Sequence, residues 1–138
     1  MPQSAFPLSR SKSRFYRLGA YRWRVVRFTA VDRDFRLLIA YHADKEQYRA
    51  VLASDRGRDL AVIAQYEFHG THPGWHVLAS CDDLPEVPVG IMRHPWQVRF
   101  PKPRGFHRGS AFGISNEGHA LERAAKFFRL HKAEGTIL

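Results

Sequence analysis

From Leu60 to His69, the residues Leu60, Val62, Ala64, Tyr66 and Phe68 alternate with Ala61, Ile63, Gln65, Glu67 and His69. This two-residue period matches the pleat of a β-strand rather than any helical repeat, so the chain must build a sheet with at least one covered face. Other runs suit the same sheet. Tyr21, Trp23 and Val25 alternate with Arg22, Arg24 and Val26, and β-branched or aromatic residues dominate through Val31. Asp32-Arg33-Asp34 supplies turn chemistry ahead of Phe35, Leu37, Ile39 and Tyr41, which reads as a hairpin. Tyr48 to Ala53 fit a third strand or a short helix, with Val51 and the brevity of the run favouring strand. Asp55-Arg56-Gly57-Arg58-Asp59 is a turn by composition, Gly70 to Gly74 form a tight connection, and Trp75 to Cys81 return as a fifth strand.

Beyond the strands, Asp82 to Ser115 hold five of the eight prolines, at Pro85, Pro88, Pro95, Pro101 and Pro103, and predict a long irregular Pro/Gly-rich loop. Ser115 is the expected N-cap of a helix in which Leu121, Ala124, Ala125 and Phe128 recur on one face, with Glu122 and Lys126 paired outside. The predicted architecture is α+β: a five-stranded, mostly antiparallel meander with the C-terminal helix packed on one face and arginines on the other face or the rim. Residues 1–13, rich in Ser, Pro and Arg, read as a flexible basic arm and 14–138 as a single domain.

An apolar fraction of 44% with ten Phe, five Tyr and three Trp excludes the disordered class. No apolar run approaches the roughly 20 residues that span a bilayer, and no signal-like segment opens the chain, so a non-membrane, unexported protein is expected. Cys81 is the sole cysteine, which rules out an intrachain disulfide and suits the reducing cytoplasm. The net charge of +9 makes a polyanion the first partner to consider, since each neutralised phosphate releases counterions. The charge is unevenly spread. Residues 10–36 carry nine Arg or Lys, and 93–108 carry five with no acid, whereas 59–92 carry none and hold five acids and three histidines.

Those histidines, His69, His72 and His76, fall within eight residues on a strand end, a Gly/Pro turn and the next strand. As neutral imidazoles with the Cys81 thiolate they make a possible zinc set, although the spacing matches no established zinc pattern. As acid and base they suit metal-independent RNA cleavage, in which one group takes the 2′-hydroxyl proton and another protonates the leaving oxygen. Glu67 shares a strand face with His69, Thr71 could orient a phosphate oxygen, and Arg93, Arg104 or Arg108 could stabilise the phosphorane. Ordinary hairpin residues around Gly70, Pro73 and Gly74 are the plainer alternative. Register separates these readings. A simple five-residue loop pairs His69 with Trp75 and puts His69 and His76 on opposite faces, whereas a one-residue bulge at Gly70 or Gly74 puts them opposite each other.

Arg14, Arg17, Arg22 and Arg24, interleaved with Phe15, Tyr16, Tyr21 and Trp23, suit phosphate contact and base stacking, as Trp75 does, and favour RNA over DNA. His94-Pro95-Trp96 and Pro103 to Arg108 read as a surface loop or a cationic lid. The sequence therefore points to a small, basic, RNA-directed protein, a toxin-like endoribonuclease that uses His69, His72, His76 and Glu67 without a cofactor. Its rivals are a nucleic-acid-binding module with or without zinc, and a basic protein that binds an acidic partner or inhibitor. The oligomeric state is left open.

Overall fold

The computed structural model describes residues 14–57, 59–69, 72–80, 83, 86, 87, 89, 97–100 and 111–130. They form one antiparallel sheet of seven strands in chain order: β1 (Tyr16–Leu18), β2 (Tyr21–Ala30), β3 (Arg33–His42), β4 (Gln47–Asp55), β5 (Leu60–His69), β6 (His72–Ser80) and β7 (Gln97–Phe100). Helix α1 (Glu117–Phe128) follows. The expected meander and C-terminal helix are present, but the strands number seven rather than five. The two additions, β1 and β7, have three and four residues, too short for alternation to register in the sequence. They sit at the two edges of the sheet and take their pairing from β2 and β6. Strand β7 also interrupts the stretch predicted as one continuous loop; most of that stretch, like residues 1–13, lies outside the described residues.

The turns follow from local chemistry. Gly19, at φ 60°, closes β1 onto β2. Between β2 and β3 the two-residue turn is Val31-Asp32, both at positive φ (45° and 60°), the geometry that twists with the strands. Val31 is β-branched and exposed there, so this turn stores strain that an asparagine would relieve.

Cross-strand pairing lines up side chains in rows. On one face run Tyr41, Tyr48, Phe68 and Trp75, and beside them Ile39, Ala50, Tyr66 and Val77. Helix α1 covers these rows. Its buried Ala120 and Ala124 allow close approach, Leu121 and Phe128 pack beside them, and Phe112 and Ile114 complete the cluster. The Tyr48 hydroxyl, buried under the helix, donates to the Ala120 carbonyl at 2.8 Å, a bond with a net worth of about 1 kcal/mol. Asn116, not the expected Ser115, caps α1: its side chain accepts from the His119 N–H at 2.8 Å. Ser115 Oγ instead lies 3.0 Å from His119 Nδ1. At the other end Arg129 adopts the left-handed conformation and its N–H reaches the carbonyls of Ala125 and Lys126.

The opposite face, where arginines were expected, carries a second apolar cluster over β2 to β5: Trp23, Val25, Leu38, Ala40, Val51, Ala53 and Val62. Arginines flank it on the same face: Arg27 pairs with Arg36, whose Nε donates to Asp55 Oδ2 at 3.0 Å, and the face is polar again towards β5–β7.

Candidate functional site

Two irregularities in β5 and β6 build the polar end of that face. The first is in β5. Its pairing with β4 runs Ala53 to Val62 and then Leu52 to Ala64, so Ile63 is an extra residue. Without it the ladder starting at Asp55–Leu60 would set Arg49 against Tyr66, beneath the helix. With it, Arg49 stands opposite Glu67. The bulge also separates Leu60 and Val62, which join the second cluster, from Tyr66 and Phe68, which join the helix-side core.

The second irregularity is in β6. His69 pairs with His72, and Phe68 then pairs with Trp75, so Pro73 and Gly74 are inserted, with Gly74 at φ 84°. Two inserted residues preserve the facing of every side chain but slide the register, so that His76 meets Glu67 rather than Gln65. Neither register considered from the sequence is the one adopted. His69 and His76 share a face, as the metal and acid–base readings required, but the residue opposite His76 is Glu67.

The result is one continuous row, Trp23, Ala40, Arg49, Glu67 and His76, with His69 beside it. Glu67 Oε2 lies 2.6 Å from His69 Nε2 and 3.5 Å from His76 Nε2, and Oε1 lies 3.5 Å from Arg49 Nε. The two imidazoles are 5.1 Å apart between centroids. Glu67 and His76 side chains are each only 5% exposed, whereas His69 is 31% exposed, so His69 is the outlet of the cluster to solvent.

Burial alone would raise the Glu67 pKa. Hydrogen bonds from His69 and His76, then the charges of Arg49 and His69, outweigh it and hold the carboxyl well below the usual carboxylate range. A carboxylate only accepts, so His69 Nε2 carries the proton and a neutral ring keeps its lone pair on Nδ1. This is the arrangement in which an acid fixes the tautomer of a base. His76 differs: its Nδ1 is buried with no hydrogen-bond partner among the described residues, and its one polar contact there is the long one to Glu67.

Of the other residues anticipated from the sequence, the described ones lie on different parts of the sheet. His72 pairs through its backbone with His69, but its side chain, Thr71, Cys81, Arg93, Arg104 and Arg108 lie outside the described residues. Arg14, Arg17, Arg22 and Arg24 belong to the β1–β2 edge; β2 is three strand spacings, about 14 Å, from β5, and β1 is four, about 19 Å. Arg14 and Arg17 are exposed, the Arg14 guanidinium lying 5.2 Å from the centre of the Tyr16 ring. Arg22 is half-buried, whereas Arg24 is buried on the helix-covered face. Trp75 packs in the helix-side core against Tyr48, Tyr66 and Phe68, with Arg123 4.3 Å above its ring and its Nε1–H donating to the Ala111 carbonyl.

Sequence reasoning passed over Arg49, and also Arg99, which pairs with Leu78 and stands on the face of the cluster. Arg49 had no signal, because its approach to Glu67 depends on the Ile63 bulge. No known protein family, curated protein or solved structure matches the chain.

Proposed function

We propose that the protein acts on RNA and cleaves it by proton transfer at Glu67 and His69. The observation that carries this reading is the 2.6 Å contact between a buried, ionised carboxylate and an imidazole that reaches solvent. In the proposed reaction His69 Nδ1 takes the 2′-hydroxyl proton, the 2′-oxygen attacks phosphorus, and the bond to the 5′-oxygen breaks. His72, joined to His69 across the hairpin, is the candidate donor to the leaving oxygen. Arg99 and the net charge of +9 would attract the phosphate backbone, and the exposed arginines of the β1–β2 edge would extend that contact. His76 has a different role from the one expected of it: at 5% exposure it supports Glu67 rather than touching substrate.

A toxin-like endoribonuclease working without a cofactor in the cytoplasm remains the specific form of this proposal, with an acidic protein as its natural inhibitor. The test is cleavage of single-stranded and structured RNA by purified protein in chelator. His69→Ala should lose at least about 100-fold in rate with an unchanged circular dichroism spectrum, and His119→Ala should not. Full cleavage by His69→Ala would end the catalytic assignment. RNA binding without cleavage in the wild type would leave a nucleic-acid-binding module.

A further inference from the structure

Glu67, His69 and His76 each offer one ligand atom, and these three atoms lie within 4.8 Å of one another. A tetrahedral ion with bonds of roughly 2.0–2.1 Å needs ligand atoms about 3.3 Å apart. The two contacts to Oε2, at 2.6 and 3.5 Å, bracket that value, and no separation in the set exceeds 4.8 Å, so an ion would draw the ligand atoms together by at most about 1.5 Å. Two imidazoles and one carboxylate are a donor set of borderline softness, which suits zinc and its neighbours better than magnesium or calcium.

A separate observation points the same way. The His76 ring is buried, its Nδ1 has no partner among the described residues, and its Nε2 makes only a 3.5 Å contact. Coordination through Nε2 would replace that long contact with a bond to the ion, while Nδ1 would carry the ring proton and gain nothing from it.

We infer that Glu67, His69 and His76 form a binding site for one zinc-type divalent ion, entered from the exposed side of His69. Neither Cys81 nor His72 is needed, in contrast to the ligand set suggested by the sequence. The ion takes the nitrogen whose proton Glu67 holds in the free protein. Metal and tautomer control therefore compete for one atom, and zinc would switch off the proton transfer proposed above. Only this consequence rests on that reading; the site itself does not.

Isothermal titration with zinc chloride, and visible absorption with cobalt(II), test the site on the full chain without any activity assay. Wild type should bind one ion, and cobalt should give the intense bands of a four-coordinate centre. His69→Ala and His76→Ala should weaken zinc at least about 10-fold, and His119→Ala should leave it unchanged. Glu67→Gln, which keeps the shape of the buried side chain, should weaken it similarly and guards against a folding defect in His76→Ala. Lowering the pH should release the ion as imidazoles protonate. Absence of stoichiometric binding, or wild-type affinity in all three ligand variants, overturns the site. Zinc that accelerates RNA cleavage leaves the site standing and overturns the metal-free mechanism. Cleavage that is absent with and without zinc removes the functional proposal while the titrations still decide the site.

Discussion

The two sides of β5 ask opposite things of their surroundings. Tyr66 and Phe68 point to the helix side, where they meet Trp75, Phe112 and Phe127, and their stabilisation grows with the apolar area removed from water. Glu67 and His69 point the other way, where a buried carboxylate must be matched by nearby donors or it destabilises the fold. Non-directional packing tolerates small displacements. A charge buried to 5% exposure does not, and here its partners come from β4, β5 and β6, positioned by two bulges. The strand therefore anchors the molecule with one set of alternate residues and carries reactive groups on the other.

Adjacent substitutions should separate these roles. Phe68→Ala should have the largest effect, a loss of about 3–5 kcal/mol, because it opens a cavity under α1 against Trp75 and Phe112. Urea denaturation would measure it, and a loss below about 1 kcal/mol would mean that the helix side is not the anchor.

Glu67→Gln should act through pH. The folded pKa of Glu67 is depressed, so its contribution to stability is fully present above the ordinary glutamate range, near pH 4.3, and is lost as pH falls below it. The melting temperatures of wild type and Glu67→Gln should accordingly differ most at neutral pH and converge on acidification. A constant gap would show that Glu67 is not held ionised by its neighbours.

On the helix side, Tyr48→Phe removes only the bond to the Ala120 carbonyl and should cost about 1 kcal/mol with no change in any activity. Smallest of all, Val31→Asn, far from both regions, should stabilise by about 0.5–1 kcal/mol by relieving the left-handed strain of the β2–β3 turn. A higher melting temperature with unaltered chemistry would mark that turn as independent of the working face.

Much of the fold was legible in the chain. The alternation in Tyr21–Val31, Phe35–Tyr41 and Leu60–His69 named three strands, and the spacing of Leu121, Ala124 and Phe128 named the helix that covers them. The short strands Tyr16–Leu18 and Gln97–Phe100 were not legible, because their pairing is supplied by neighbours rather than by their own pattern. At the candidate site the sequence singled out Glu67, His69 and His76 as one neighbourhood, since residues so close in the chain remain close in any hairpin.

Which of them would meet was another matter. A strand pattern fixes the alternation of side chains but not where the alternation slips, and one inserted residue reverses every facing beyond it. The sequence by itself thus determined a basic, antiparallel, helix-covered sheet with histidines at one hairpin. Only the tertiary structure decided that Ile63 would bulge to bring Arg49 to Glu67, and that Pro73 and Gly74 would slide His76 opposite the same carboxylate. Register is set by the packing of whole faces, and no local run of residues encodes it.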